Sequence, residues 1–295
     1  MYHCIVNPAA GRGNGQSLIP VIDAFMRDRG IDIDIKIPSH SSDAAKLAKE
    51  ACTAGSQGII GVGGDGTIQN IVTGMLDNKD RCDTPLGVIS CGSGNDWIRS
   101  FGKKYSAIDC LNALLTGKIQ AIDVIRVNNM VCINIANMGL DARIVRNAKP
   151  LKKVFGKSAY AISALISIFR HKNIPLTLHI DEKEKLEGKF TLAAACNGQY
   201  YGGGMRIAPS AVVNDGSITL CLVSAINTLK ALILFPVMLL ERHTHLKAVR
   251  YIECQKITLI PQGVQTLCLD GNLYECSGQL DFKILPKAII FKIPA

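Results

Sequence analysis

The stretch GVGGDGTIQN, residues 61–70, decides the fold because it joins an apolar run to an amphipathic segment through a loop of glycines. The run GIIGV at 58–62 predicts a short buried strand. Apolar residues then recur at helical spacing from Ile68 to Leu76, which predicts a helix with one buried face. A strand, a glycine loop and a helix in this order are typical of a parallel α/β sheet, in which ligands bind beyond the carboxyl ends of the strands.

Strands and helices alternate on both sides of this unit through the first part of the chain. The predicted strands are 2–6, 31–37 and 86–90, and the predicted helices are 16–29, 43–54 and 106–116. This β-α-β-α alternation predicts a parallel sheet that is covered by helices on both faces.

The pattern changes near residue 121, where AIDVIRV, Asn128-Asn129 and MVCINIA predict an antiparallel hairpin. Further strand-like runs follow at 174–180, 189–196, 217–223, 252–260, 265–270, 280–285 and 288–293, with helices at about 157–171 and 227–245. We therefore expect two domains, a nucleotide-binding α/β domain at 1–124 and a mostly β domain at 125–295.

Composition narrows the classes of partner. The chain has 295 residues and a formal net charge of +9, which favours nucleotide phosphate or an anionic lipid surface. Aromatic residues make up only 5% and no basic stripe is interleaved with them, so we expect no nucleic acid partner. The apolar run 231–240 is too short to span a bilayer, the N-terminus lacks a signal-peptide pattern, and the eleven cysteines form no CxxC pair. We therefore expect a cytoplasmic protein with free thiols.

Three glycine loops follow successive predicted strands, and phosphate is the ligand that suits them best. They are NPAAGRGNG at 7–15, GGDGT at 63–67 and CGSGND at 91–96. Glycine lets the backbone approach a ligand, and a helix N-terminus offers free N–H groups to phosphate. Thr67 is expected to cap the helix and donate to a phosphate oxygen. Phosphate would repel Asp65, so we expect this acid to act through Mg²⁺, which binds carboxylate and phosphate oxygens together.

Each acid in these loops also has a plain interpretation. GGDGT alone can be a tight turn with an aspartate cap, and Asp-Gly at 215–216 and 270–271 is common in β-turns. Function is favoured at Asp270, because an acid between the apolar run QTLCL and Gly271 contributes little to folding. No GxxxxGK[ST] motif is present, and the first loop is not a GxGxxG fingerprint.

The three loops, in this order and spacing, resemble the catalytic domain of diacylglycerol kinases, a family that includes sphingosine kinases and bacterial lipid kinases. The resemblance continues through NGQYYGGGMRIAPSAVVNDGSITL at 197–220 and LDGN at 269–272, so it covers nearly the whole chain. It implies a three-layer α/β domain similar to those of phosphofructokinase and NAD kinase. A mostly antiparallel β-sandwich domain would follow, with the active site in the cleft between the two.

The resemblance also implies site residues. ATP would be bound by Asn7, Pro8, Ala9, Ala10, Gly11, Gly63, Gly64, Asp65, Gly66, Thr67, Ile68, Gln69, Asn70, Gly92, Ser93 and Asn95, together with one residue of 38–41. Asp65 and Asp96 would organise catalytic Mg²⁺, and Asp270 would be the general base. Asp215, with backbone groups of Val212 and Ser217, would match a structural Mg²⁺ site found in part of the family. The expected reaction transfers the γ-phosphate of ATP to a lipid hydroxyl, in the first place that of diacylglycerol, giving phosphatidic acid.

One residue departs from the family pattern. The glutamate that follows Asp-Gly in the family is Asn272 here, and asparagine carries no charge. A nucleotide- or lipid-binding pseudokinase therefore stays open as an alternative. So does an NAD kinase, which shares GGDG.

A lipid acceptor requires a route from a membrane. Residues 149–172 place SAYAISALISIF between basic flanks, and 228–240 are apolar nearly all round, which suits peripheral contact with an anionic membrane surface. The alternative for both segments is a core helix with solvated ends. The loop at Tyr200 and Tyr201 either borders the acceptor pocket or is a plain surface loop. A homodimer also stays open.

Overall fold

The computed structural model describes residues 1–294 except 41, 78, 93, 103–104, 156–158 and 171, and it describes the backbone but not the side chains of 141, 149–155 and 159–161. The first part of the chain contains strands β1 Tyr2–Val6, β2 Ile33–Lys36, β3 Ile59–Gly63 and β4 Cys82–Ser90, and helices α1 Asn14–Arg27, α2 Asp43–Thr53, α3 Asp65–Leu76, α4 Asp96–Arg99 and α5 Ala107–Thr116.

The second part is mostly β. Its strands are β5 Lys118–Val127, β6 Met130–Cys132, β7 Ile135–Gly139, β8 Ile174–Ile180, β9 Glu184–Cys196, β10 Tyr200–Tyr201, β11 Met205–Arg206, β12 Ile218–Ser224, β13 Val249–Cys254, β14 Lys256–Pro261, β15 Gln265–Leu269, β16 Asn272–Cys276 and β17 Leu280–Ile293. Its helices are α6 Leu140–Phe155, α7 Ala159–Phe169 and α8 Thr228–Leu239.

The first sheet has the order β2-β1-β3-β4 with all strands parallel, and helices cover it. Two buried clusters of apolar residues fill its faces, one under α2 and α3 and the other under α1 and α5. Because β1, β3 and β4 are neighbours, the loops that follow them meet at one edge of the sheet. The second part pairs its strands antiparallel around a core of its own. The predicted α/β fold with a second antiparallel β-sandwich is confirmed.

The last strand, β17, joins the two parts. Its first half pairs antiparallel with β14, its second half pairs parallel with β4, and β5 runs antiparallel along nearly its whole length. The register shifts between Leu285 and Ile289, where the sequence suggested a break between two strands. A division of the chain at 124/125 stays a prediction, and any such division must assign β17 to both sheets.

A buried carboxylate stabilises the junction at which β17 passes between the two sheets. Asp123 on β5 is fully buried, and its two oxygens accept the backbone N–H groups of Lys287 and Gly216, each at 2.7 Å. Lys287 has a positive φ of 53°, so the ladder is interrupted there and its N–H needs another acceptor. Asp123 therefore satisfies the backbone at the point where β17 passes from one sheet to the other.

Several helix and strand predictions differ from the structure. Helix α6 was not predicted, because Pro150 disfavours a helix in the sequence pattern. The run 252–260 is two strands that part near Gln255. Strand β16 was also not predicted. It forms a hairpin with β15, and LDGN at 269–272 is the tight turn between the two strands.

Candidate active site

The three glycine loops touch one another through their backbones. A Cβ on Gly11 would lie 2.0 Å from the carbonyl oxygen of Cys91, and a Cβ on Gly92 would lie 2.5 Å from Cα of Gly64. Only glycine permits this approach. The Asn7 side chain adds a direct link, since its Nδ2 donates to Oγ1 of Thr67 over 2.9 Å. The loops therefore form one surface of bare backbone at the edge of the sheet.

Helix α3 begins immediately after this surface. Its N-cap is Gly64, and no side chain caps the helix. The prediction that Thr67 caps α3 is wrong, because Thr67 lies in the first turn and its hydroxyl accepts from Asn7. The uncapped end leaves backbone N–H groups and the positive end of the helix dipole directed at the loop surface.

Asp65, the first residue of α3, reaches across to the third loop. Its Oδ2 accepts the backbone N–H of Asp96 and its Oδ1 accepts that of Trp97, both at 3.1 Å. Asp96 in turn accepts the backbone N–H of Gly203 with both carboxylate oxygens, at 3.1 and 2.9 Å. The second part of the chain therefore contacts the third glycine loop directly.

The two carboxylates converge. A Cβ on Gly94 would lie 3.1 Å from Oδ2 of Asp65 and 3.0 Å from Oδ2 of Asp96. Burial raises the pKa of Asp65, and burial together with the charge of Asp65 raises the pKa of Asp96 to about 6. These two carboxylates beside the start of α3 match the oxygen ligands that Mg²⁺ prefers, so the residues present fit this ion.

Asp270 lies at the tight turn between β15 and β16 with a positive φ of 48°. Its side chain is directed inward and is 7% exposed. Oδ1 accepts the backbone N–H groups of Asn134 and Ile135, both at 3.0 Å, and the thiol of Cys132 at 3.3 Å. Among the described residues, Oδ2 accepts one hydrogen bond, from the backbone N–H of Ile133 at 2.7 Å.

The two oxygens of Asp270 are therefore unequal. Oδ1 already has three donors, whereas Oδ2 has one and retains a lone pair for another. Burial raises the pKa of Asp270 to about 7, although the backbone N–H groups oppose this shift. A carboxyl that titrates near neutral pH is suited to accepting a proton.

Asp65, Asp96 and Asp270 line the same cleft, which has a volume of about 260 Å³. The first two come from loops of the parallel sheet, and Asp270 comes from the β-sandwich. Gly64, Gly66 and Asn272 also line the cleft. The structure thus brings together the acids that the sequence singled out for catalysis, and their roles stay predictions.

Asn272 connects the two sides of the cleft. Its Nδ2 donates to Oε1 of Gln69 over 2.8 Å, and Nε2 of Gln69 donates to the carbonyl oxygen of Val131 over 2.7 Å. A Cβ on Gly66 would lie 3.3 Å from the amide atoms of Asn272. The residue that replaces the family glutamate is therefore held by a neutral amide pair against the GGDGT loop.

The other residues that are predicted to bind nucleotide differ in how far their side chains are exposed. Ile68 and Gln69 are each 2% exposed. Ile68 packs in the apolar core beneath α3, whereas the Gln69 side chain hydrogen-bonds Asn272 and Val131 of the second part of the chain. Ala9 is exposed, and the side chains of Pro8, Ala10 and Asn70 are partly buried. Asn95 is left-handed at φ 54° and its Oδ1 is buried beside Gly92. Ser93 and Ser41 lie outside the described residues.

The predicted structural Mg²⁺ site lies away from the cleft. Asp215 is exposed, and its Oδ1 accepts the backbone N–H of Ser217 over 2.9 Å. Val212 is exposed nearby in the sequence. Within the described part of the chain, no group of three or more His, Cys, Asp or Glu side chains is arranged to hold a metal. The Asp215 site stays a prediction.

Sequence reasoning missed several residues that line the cleft. Asn134 and Asn137 lie in the strand-like run MVCINIAN, where two buried asparagines among apolar residues were the available signal. Val145 of α6 was missed together with its helix. Tyr201 and Gly202 line the cleft, which agrees with the suggestion that their loop borders the acceptor pocket.

Two family models match the chain. The diacylglycerol kinase catalytic domain matches residues 1–127, and the YegS C-terminal NAD kinase beta sandwich-like domain matches residues 134–291. The chain is 31% identical over 226 residues to a protein of Enterobacter sp. (strain 638) named "Probable lipid kinase YegS-like", covering 75% of each chain. It is 27% identical over 293 residues to "Diacylglycerol kinase" of Mycobacterium tuberculosis (strain ATCC 25618 / H37Rv), covering 97% of this chain and 92% of the relative.

Solved structures support the fold. A diacylglycerol kinase from Bacillus anthracis str. Sterne superposes with a TM-score of 0.79 at 19% identity, over 99% of this chain and 96% of that one. An NAD kinase from Archaeoglobus fulgidus in complex with ATP superposes with a TM-score of 0.56 at 14% identity, over 100% of this chain and 94% of that one. At these identities the superpositions show a shared fold only. The two domain matches and the YegS-like relative confirm the resemblance read from the sequence, and the chain belongs to the diacylglycerol kinase-like family of lipid kinases.

Proposed function

We propose that this chain is an ATP-dependent kinase that transfers the γ-phosphate to the hydroxyl of a lipid, in the first place diacylglycerol. The observation that carries the proposal is the shared cleft, in which Asp270 of the β-sandwich faces the same space as Asp65 and Asp96 of the glycine loops. Phosphoryl transfer requires charge neutralisation, alignment and a proton acceptor near the attacking oxygen, and these groups supply each of them.

The glycine loops bind the triphosphate. Backbone N–H groups at the start of α3 approach the phosphates, because Gly64 and Gly66 line the cleft there and no side chain of the described residues caps the helix. Gly92 brings the third loop against Gly64 at this end of the helix. Asp65 and Asp96 would hold Mg²⁺, which neutralises charge on the transferred phosphate. The backbone N–H groups of Asp96, Trp97 and Gly203 fix both carboxylates in place.

Asp270 accepts the proton of the lipid hydroxyl. As the hydroxyl oxygen forms its bond to the γ-phosphorus, the bond from that phosphorus to the ADP oxygen breaks, and the proton passes to Asp270. Oδ2 is the receiving atom, because Oδ1 is already shared among three donors. The N–H groups of 133–135 hold the carboxylate in the wall of the cleft.

The rate should therefore depend on the protonation of Asp270. Only the deprotonated carboxylate accepts a proton, so kcat/KM for the lipid should rise about tenfold per pH unit below about 7 and level off above it. The measurement is kcat/KM from about pH 5.5 to about pH 8.5 at saturating ATP and Mg²⁺. A flat profile across this range would remove Asp270 as the base.

The lipid reaches the cleft from a bilayer. Helices α7 and α8 pack against each other, and together they carry an exposed apolar face made of Leu165, Ile166, Phe169, Leu229, Ile233 and Leu239. Arg170, Lys172, Lys230 and Arg242 are exposed beside this face. Basic residues around apolar ones suit an anionic lipid surface. No helix among the described residues is long and apolar enough to cross a membrane.

Vesicle binding tests this face through a matched pair of variants. Ile233→Glu should weaken cosedimentation with vesicles of phosphatidylglycerol and phosphatidylcholine about tenfold or more, because burying one isoleucine side chain contributes roughly 1.5–3 kcal/mol. Ile119→Glu should leave binding unchanged, since Ile119 is exposed to a similar degree, 66% against 60%, on β5. Equal binding by both variants would contradict a membrane role for the face.

The proposed reaction is tested with purified protein, ATP and Mg²⁺ in mixed micelles that contain diacylglycerol, phosphatidylglycerol, undecaprenol or a sphingoid base. Mass spectrometry should detect phosphatidic acid from diacylglycerol. ATP binding without any phosphorylated lipid would instead support the pseudokinase alternative that Asn272 motivates. Formation of NADP from NAD and ATP would support an NAD kinase.

A further inference from the structure

The cleft continues behind Asp270 along two paired strands. Cys268 of β15 pairs with Asn137 of β7, and the backbone N–H of Asp270 donates to the carbonyl oxygen of Ile135 over 3.2 Å. Side chains two apart on a strand share a face, so Ile135 and Asn137 point the same way, and Cys268 lies beside Asn137 on that face because the two residues are paired. All four residues line the cleft, and Val145 of α6 covers them.

Asn137 is the polar residue of this inner wall. It is 4% exposed, and its Oδ1 has no hydrogen-bond partner among the residues that the structure describes. Cys268, Ile135 and Val145 around it offer no strong hydrogen-bonding side chain. A buried carbonyl oxygen without a partner lowers stability, so its presence in a cleft wall points to a partner that arrives with the ligand.

The distance between Asn137 and Asp270 limits which group of the ligand can be that partner. Ile135 stands opposite Asp270, and Asn137 lies two residues further along β7, which is about 7 Å. A glycerol backbone or glycerol headgroup places an ester or a second hydroxyl within this distance of the reacting hydroxyl. A half-turn of the amide exchanges its oxygen and its NH₂, so Asn137 can accept from a hydroxyl or donate to an ester carbonyl. A plain long-chain alcohol offers neither group.

We propose that Asn137 determines acceptor specificity by hydrogen-bonding the second oxygen function of a glycerol-based lipid whose free hydroxyl faces Asp270. This inference rests on the proposed lipid kinase function and narrows its acceptor class. It places Asn137 in the binding of the acceptor and assigns it no part in proton transfer.

The test compares two acceptors in the wild type and in Asn137→Leu, which has similar volume and no polar atoms. The variant should lose about 10- to 100-fold in kcat/KM for dioctanoylglycerol and little for dodecanol, because only the glycerolipid offers a partner to the amide. Its Tm should not fall, since the change removes a buried polar group that has no partner in the protein. Met138→Leu is the control, because Met138 is the adjacent β7 residue and packs into the sandwich core.

An equal loss for both acceptors would show that Asn137 only supports the wall, and it would overturn the proposal. Equilibrium binding of dioctanoylglycerol without ATP separates this inference from the proposed reaction. If the wild type binds dioctanoylglycerol at least tenfold more tightly than Asn137→Leu does, the inference holds even where no lipid is phosphorylated. Equal binding by the two proteins, or no binding by the wild type, overturns it.

Discussion

Replacing Asp270 with asparagine is expected to lower kcat for lipid phosphorylation by about 10²- to 10⁴-fold, the range that general base catalysis supplies. The amide of asparagine keeps one oxygen for the backbone N–H groups of 133–135 but cannot accept the proton of the lipid hydroxyl. ATP binding should be retained, because the glycine loops do not contact the Asp270 side chain directly. Steady-state kinetics with saturating ATP and an equilibrium measurement of nucleotide binding check both expectations.

Asp181→Asn provides a matched control for this variant. Asp181 also has a positive φ, 49°, and its Oδ1 accepts the backbone N–H groups of Gln255 and Lys256 at 2.9 and 2.8 Å. It lies at a turn of the β-sandwich and does not line the cleft. A similar loss of kcat in both variants would assign Asp270 to structure, whereas a selective loss assigns it to catalysis.

Asp65→Asn should lower kcat/KM for ATP by about 10³-fold, which corresponds to roughly 4 kcal/mol of transition-state stabilisation. The variant keeps an oxygen for one of the N–H groups of Asp96 and Trp97, but it loses the charge that would hold Mg²⁺ beside the phosphates. The Mg²⁺ concentration needed for half-maximal rate should rise. This rise would distinguish the loss of metal binding from the loss of the hydrogen bonds to the start of α4.

Asp109→Asn controls for the hydrogen bonds that Asp65 accepts from the backbone N–H groups at the start of α4. Asp109 is also on the first part of the chain, and its Oδ2 accepts the backbone N–H of Ser106 at the start of α5. Asp109→Asn should leave the Mg²⁺ dependence unchanged while costing some stability. If Asp65→Asn reduces activity without changing the Mg²⁺ requirement, the proposal that Asp65 holds the metal fails.

Much of the first part of the fold could be predicted, because its signals are local. The apolar run at 58–62, the glycines at 63–66 and the helical stripe that ends at Leu76 each specify one element, and together they specify a parallel unit. The antiparallel β-sandwich was predicted from its strand runs and the family resemblance. Helix α6 was not, because Pro150 favours a loop when the surrounding strands are unknown.

The acids of the site could also be predicted, since charge in a glycine loop or an apolar run is conspicuous in a sequence. The surroundings of those acids could not. That Asp270 accepts three backbone N–H groups from 133–135 depends on a contact across more than 130 residues, with Ile135 and Asp270 135 apart in the chain. The pairing of Asn272 with Gln69 and the burial of Asn137 likewise arise from tertiary packing, which no local pattern encodes.

The passage of β17 through both sheets affects how the protein is made. During synthesis the glycine loops are translated early. Strand β4 cannot pair with β17 until residues 280–293 have been translated. One edge of the first sheet in the nascent chain therefore stays unpaired until β17 has been synthesised. The interval before residues 280–293 are translated is when this unpaired sheet edge is most exposed to aggregation.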